Sequence, residues 1–258
     1  MHGTNRKTNF GALLMASFLA GSFALPVSAQ QGSRGLSLDL GTGPKYSPAF
    51  EGSSKYKVTP GFVFGLNSLS FGKVNIDRNG NSTGFSFGPS FRYVGKRELA
   101  DAAYLAGIPD VDYSIEVGGK IAYEWDRSRI FAKARKGFNG HTGVVGEVGA
   151  DWIMRPSDNT TIEFGPRMSF ADDGYMGTYF SVPATATVLA PFTAKGGIKS
   201  AGIDFKARRS LNDTWAIELS GGWNKLLGDA AKSPIVKAGA ENQYTIGLSL
   251  VRTFNLRF

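Results

Sequence analysis

Residues 111–125 read VDYSIEVGGKIAYEW, and this stretch decides the fold. One face collects Val111, Tyr113, Ile115, Val117, Gly119, Ile121, Tyr123 and Trp125. The other collects Asp112, Ser114, Glu116, Gly118, Lys120, Ala122 and Glu124. A period of 3.6 would scatter both sets around a helix, whereas a period of two places them on opposite sides of a strand. Soluble strands run to about five or six residues, and a tilted strand needs about ten to cross a bilayer. The stretch therefore predicts a membrane-crossing strand with its apolar side outward.

The same split recurs along the chain. Phe85, Phe87, Pro89, Phe91 and Tyr93 oppose Ser86, Ser90 and Arg92; Val144, Val148, Ala150, Trp152 and Met154 oppose Glu147 and Asp151. Ile162, Phe164, Met168 and Phe170 oppose Glu163 and Arg167, and Trp215, Ile217, Leu219 and Trp223 oppose Thr214, Glu218, Ser220 and Asn224. Tyr123, Trp125, Trp152, Phe170, Trp215 and Trp223 lie toward the ends of their apolar faces, as in the aromatic girdles of transmembrane barrels. The chain closes on a file of Ile246, Leu248, Leu250, Phe254, Leu256 and Phe258 that only Arg252 interrupts. An aromatic-terminated closing strand is the mark of barrels inserted by the bacterial outer-membrane assembly machinery.

The fold expected is all-β: a closed antiparallel transmembrane β-barrel. Eleven strands can be read, at 36–43, 57–65, 68–76, 83–93, 111–125, 128–137, 143–154, 160–170, 198–209, 214–224 and 241–257. Bacterial single-chain barrels have an even number. Twelve strands are therefore expected, within a range of 10–12, with the missing one in Tyr175–Val182 or near the N-terminus. Polar clusters at Asp77–Gly80, Trp125–Arg127, Arg155–Asn159 and Leu211–Asp213 have tight-turn compositions. Longer connections fall near 44–56, 95–110, 172–197 and 226–239. The alternation suits short periplasmic turns and longer external loops. With 34 Gly in 258 residues the chain also has the flexible positions a curved sheet uses.

Residues 1–29 read as a secretory signal peptide. Arg6 and Lys7 form its positive region, Phe10–Leu25 its apolar stretch, and Val27-Ser28-Ala29 its cleavage site. The barrel domain then spans 30–258, and loss of Arg6 and Lys7 lowers the formal charge from +8 to +6. The absence of Cys excludes disulfide scaffolds, thiol nucleophiles and Cys-ligated metals. Export and strand-bound aromatics argue against nucleic acid as a partner.

Only two His occur, and His141 is the one outside the leader. Its Gly-rich setting, Gly137 to Gly143, suggests an exposed turn. Pairing with Asp151 or Glu147 is conceivable for a surface hydrolase, but no spacing enforces it. Gly41-Thr42-Gly43-Pro44 lacks the Lys and following helix of a phosphate loop and reads as a strand end. No catalytic, cofactor-binding or metal-ligating residue is therefore assigned, and the chain is read as a non-enzyme without a cofactor.

Turned inward, the polar parity supplies Arg92, Lys120, Lys133, Arg135, Arg167, Lys206 and Arg208 against Asp112, Glu116, Glu124, Glu147, Asp151, Glu163, Asp204 and Glu218. A sign-selective pore would show an excess of one charge. Near-balance points instead to an ion-pair network filling a small barrel. The surplus positive charge then lies in loops and ends, where it can meet anionic lipid head groups or lipopolysaccharide phosphates.

Several strings carry a family resemblance. Tyr46-Ser47-Pro48, Phe50-Glu51-Gly52-Ser53, Tyr123–Arg127 with Phe131 and Arg135–His141, Gly165–Asp173, Tyr175-Met176, Thr178–Phe180, Leu226–Ala231 and Ser233–Val236 resemble the MipA/OmpV outer-membrane proteins over almost the whole chain. Residues 65–81 and 183–197 depart from the pattern. The resemblance implies a barrel without catalytic residues in the outer membrane of a Gram-negative bacterium. It further implies a scaffold that brings a murein lytic transglycosylase together with a penicillin-binding synthase. Relatives described as porin-like or adhesive leave a small passive channel or adhesin as the alternative. Trp125, Asp126, Arg127, Asp172, Asp173 and Tyr175 are conspicuous in the motifs, and they fit turn stabilisation as well as partner contact.

Overall fold

The computed structural model describes residues 35–71, 74–77 and 83–257. The leader, Phe258, the turn residues 78–80 and any crossing before residue 35 lie outside them. Among the described residues eleven strands form one antiparallel sheet: β1 Gly35–Pro48, β2 Tyr56–Phe71, β3 Val74–Asp77, β4 Gly84–Val94, β5 Ser114–Trp125, β6 Ser128–Asn139, β7 Val144–Ser157, β8 Thr160–Ala171, β9 Gly197–Ser210, β10 Trp215–Leu226 and β11 Asn242–Arg257. Their order is β3-β2-β1-β11-β10-β9-β8-β7-β6-β5-β4. Pairing of β1 with β11 joins the first and last of these strands, as barrel closure requires.

Ten of these strands are long, with 11 to 16 residues each. The eleventh, β3, has only four and pairs with Ser68–Phe71 alone. Among the described residues the expected twelfth strand is not found, for two physical reasons. The segment 68–76 is no separate strand, because β2 continues straight through Asn67 to Phe71. Tyr175–Val182 is not a strand either. Asp173–Phe180 form helix α1, whose N-cap Asp172 accepts from the Tyr175 amide at 2.9 Å.

The two edges of the sheet meet without a backbone ladder. Phe62 and Phe64 of β2 pack edge-on against Tyr93 and Phe91 of β4, with ring centroids 5.8 and 4.7 Å apart. The result is a nearly closed barrel of ten long strands with β3 beside one end of the seam. Apolar side chains of the outward parity, such as Phe87, Ile121, Val148, Ile203 and Leu248, are exposed all around it. In water such a surface would aggregate, whereas in hydrocarbon it is the stable arrangement, since the ladders between neighbouring strands satisfy their backbone polar groups. Among the described residues no helix is long and apolar enough to cross a membrane.

Tight connections at 126–127, 158–159 and 211–214 lie at one end. Connections 49–55, 95–113, 140–143, 172–196 and 227–241 lie at the other, the mouth, and carry α1, α2 (Gly228–Lys232) and α3 (Pro234–Ala238). These mouth segments bury a true core. Tyr175, Met176, Tyr179 and Phe180 of α1 pack with Val111, Val145, Leu226, Ala230 and Val236. Beside them Ala49, Phe50, Leu105, Ile108, Val182 and Ile235 form a second cluster. Full burial of one such large side chain contributes about 1.5–3 kcal/mol, enough to make this mouth a folded plug.

Candidate functional site

The plug meets the barrel wall at Glu51, in the β1–β2 connection. Its carboxylate accepts from Arg92 Nη2 of β4 at 2.9 Å, Lys199 Nζ of β9 at 2.6 Å and the Tyr175 hydroxyl of α1 at 2.8 Å. In a ring of ten strands, β4 and β9 are five apart, on opposite sides of the barrel. One loop carboxylate therefore ties both walls and the plug helix together across the lumen. Burial alone would push the Glu51 carboxyl up, but the Lys199 ammonium and Arg92 guanidinium overcome this and hold its pKa down at about 2. Burial, with the facing Glu51 charge, pushes the Tyr175 hydroxyl well above its ordinary value, so it donates as a neutral phenol.

Next to this node sits His141. Contrary to the expectation of an exposed turn, it is buried, with its ring edge-on to Tyr175 and Tyr179 at 4.8 and 5.5 Å between centroids. Gly137 makes the space: a Cβ there would lie 2.1 Å from the imidazole. The ring does not pair with Asp151 or Glu147. Its Nε2 faces Glu116 Oε1 at 3.4 Å, and among the described residues neither these atoms nor Nδ1 has a hydrogen-bond partner. Glu116 instead receives Arg135 Nε at 2.9 Å, and Arg135 also donates to Ser90. The ring is enclosed by the plug and packs against its two tyrosines.

Below the plug, ion pairs lace the wall. Asp151 is clamped between Arg129, whose Nη2 lies at 2.6 Å, and Arg167. Arg129 also meets Glu163 at 2.6 Å and Glu124 at 3.5 Å, and Lys206 joins Glu163 at 3.0 Å. Lys133 holds Glu147 at 2.7 Å, and Arg208 bridges to Asp39 on β1 at 2.7 Å. Phe131 points inward and is faced by Lys120, Lys133 and Arg167 at 4.8, 4.4 and 4.8 Å from its ring centre. Cations over the ring face gain electrostatic attraction even at this polar level.

Most lumen residues expected from parity stand where they were placed, and Asp112 does not. It precedes β5, lies exposed and pairs with Lys96 at 3.2 Å. Parity overlooked Glu51, Lys199, Arg129 and Asp39. Arg129 shares parity with Lys133 and Arg135 and was legible. Lys199 was not, because a register shift opposite Ser169 and Phe170 changes which β9 residues turn inward.

The motif residues act mainly on turns. Asp126 occupies the left-handed region at φ 41° between β5 and β6, and Arg127 accepts the Ile153 amide through its carbonyl. Asp172 caps α1 and also accepts from the Val144 amide at 2.8 Å, and Asp173 accepts from the Gly196 amide at 2.6 Å. Trp125 faces outward. Gly41 to Pro44 lie within β1, which runs on to Pro48 rather than ending there as expected. Among the described residues no group of three or more His, Asp or Glu is placed to hold a metal ion.

Solved structures similar to the chain include an outer-membrane channel from Pseudomonas putida F1 (11% identity, 90% of this chain and 97% of that one, TM-score 0.40). The toluene transporter TbuX of Ralstonia pickettii is a second (9% identity, 89% and 90% covered, TM-score 0.29). Neisserial surface protein A is a third (6% identity, 86% and 98% covered, TM-score 0.28). No curated protein matches. Residues 40–254 match the family described as MltA-interacting protein MipA. With that match over most of its length, and with a lipid-facing belt on a nearly closed ten-strand barrel, the chain belongs to the MipA family and is an outer-membrane barrel protein.

Proposed function

We propose that this chain is a non-conducting scaffold in the outer membrane of a Gram-negative bacterium, exported by its 1–29 leader, that holds peptidoglycan-remodelling enzymes together. The observation that carries the reading is the latched mouth. Glu51 joins opposite walls and α1, and two apolar clusters seal the loops over it. A solute conduit needs a hydrated lumen, whereas a scaffold needs a rigid platform. The family description names an interaction with MltA, which supports a murein lytic transglycosylase as one client. The family resemblance adds a penicillin-binding synthase as the other. On this reading the chain carries no chemistry of its own and uses no cofactor. Outer-membrane lipid surrounds it, and lipopolysaccharide meets the loops.

The test joins two measurements on refolded protein. Planar bilayers containing it should stay silent, and the immobilised barrel should retain purified lytic transglycosylase and synthase. Stable unitary conductance steps, or passage of both enzymes without retention, would overturn the scaffold.

A further inference from the structure

Charge on the long strands is sorted by face. Every acidic side chain described there, from Asp39 to Glu218, turns to the lumen and lies within 4.0 Å of a base. The outward parity carries no acid on these strands, yet at the tight-turn end it carries two arginines. Arg209 of β9 sits level with Ile217 of β10, and Arg252 of β11 sits level with Trp215. Both are exposed. The Arg252 guanidinium lies 5.4 Å from the Trp215 ring centre and 5.0 Å from that of Phe254, so it is held flat along the wall. Neither arginine forms an ion pair with a described carboxylate, Asp213 in the adjoining turn included.

An unpaired guanidinium on a lipid-facing wall is costly unless an anion or water reaches it. The two arginines stand two strands apart, about 10 Å, with a two-residue offset, so their long side chains can converge beside Trp215. A planar fork suits phosphate oxygens, and a rim tryptophan lies at head-group depth. Tight turns of outer-membrane barrels face the periplasm, where the leaflet is glycerophospholipid.

We propose that Arg209, Trp215 and Arg252 form a binding site for the phosphodiester of an anionic glycerophospholipid in the periplasmic-side leaflet. The site rests on the outer-membrane reading for its leaflet alone; its chemistry stands on the refolded barrel in detergent.

Native mass spectrometry of the refolded protein, incubated with phosphatidylglycerol and separately with lipid A, tests it. The wild-type barrel should retain one phosphatidylglycerol, and the Arg209→Gln/Arg252→Gln chain should lose at least tenfold in occupancy. Lys136→Gln, which removes an outward base at the mouth end of β6, should bind as wild type does. Should the double Gln chain not fold, the Arg209→Lys/Arg252→Lys chain keeps the charges but not the forks, and occupancy should fall about threefold. Unchanged phosphatidylglycerol retention in either double variant would overturn the site, as would preferential retention of lipid A by these arginines. Recovery of the protein in the inner-membrane fraction would instead overturn the location and leave the detergent result standing.

Discussion

Replacing Glu51 by Gln tests whether the carboxylate charge locks the plug. Gln keeps the length and an acceptor for the Tyr175 hydroxyl, but it turns an amide donor toward Lys199 or Arg92 and removes the charge that neutralises them. The lowering of the Glu51 pKa from 4.5 to about 2 sets the scale of what the fold gains from the ionised form. At about 1.4 kcal/mol per unit this is about 3 kcal/mol. With the side chain still 18% exposed, solvent screening reduces the expected loss to about 2 kcal/mol. Local opening of α1 should then rise about 30-fold. Hydrogen exchange at pH 7 reads this directly: the Met176–Phe180 amides should exchange about 30-fold faster in E51Q, while amides of β6 stay as in wild type. Because the folded pKa lies below the unfolded one, the stabilisation is present above about pH 4.5 and drains away as pH falls toward 2. Wild-type α1 should therefore loosen across that interval and approach E51Q. Exchange of the α1 amides within threefold of wild type in E51Q would refute the latch and leave apolar packing as the only lock.

Four further substitutions separate the wall from the plug. Gly137→Ala places a methyl 2.1 Å from the His141 ring against a fixed strand, and should cost about 2–4 kcal/mol, seen as a lower midpoint of heat-modifiable gel migration. Gly88→Ala, whose Cβ would meet nothing within 4 Å, should stay within about 0.5 kcal/mol of wild type in the same assay. Asp151→Asn leaves Arg129 and Arg167 facing each other without their shared acid and should cost about 3–5 kcal/mol in urea unfolding from micelles. Arg155→Gln breaks only the exposed pair with Glu124 and should cost less than about 1 kcal/mol by that measurement.

The barrel was legible because lipid and lumen impose opposite chemistry on alternate residues. In β5 the split from Ser114 to Trp125 survives intact, with Glu116 buried inside and Ile121 exposed outside. Strand number was less legible, since parity cannot tell a turn from a polar residue within a strand: Asn67 reads as a break and the backbone runs through it. Parity also cannot see an apolar side chain whose partners are cations, as inward Phe131 shows. The plug was hidden for a different reason. Asp172 signals a helix start locally, but Glu51, Arg92, Tyr175 and Lys199 come from four separate segments, and only closure of the barrel brings them together. His141 was misjudged for the same cause. Glycines around it suggested exposure, whereas Gly137 is there to admit the ring.

The distribution of partners argues for a static lumen more strongly than the charge balance did. Conducting pores keep their charged side chains hydrated and free to exchange counter-ions. Here Asp151 is almost wholly buried between two guanidiniums, and Arg129 serves acids from three strands, β5, β7 and β8. Moving one of these side chains strands another, at the several kcal/mol that a lone buried charge costs. Arg208 extends the lacing from β9 to β1, and Glu51 repeats it at the mouth between β4 and β9. Cross-links at two depths resist both widening of the wall and lifting of the plug. A barrel stiffened in this way presents its mouth loops in one arrangement, as the proposed scaffold requires.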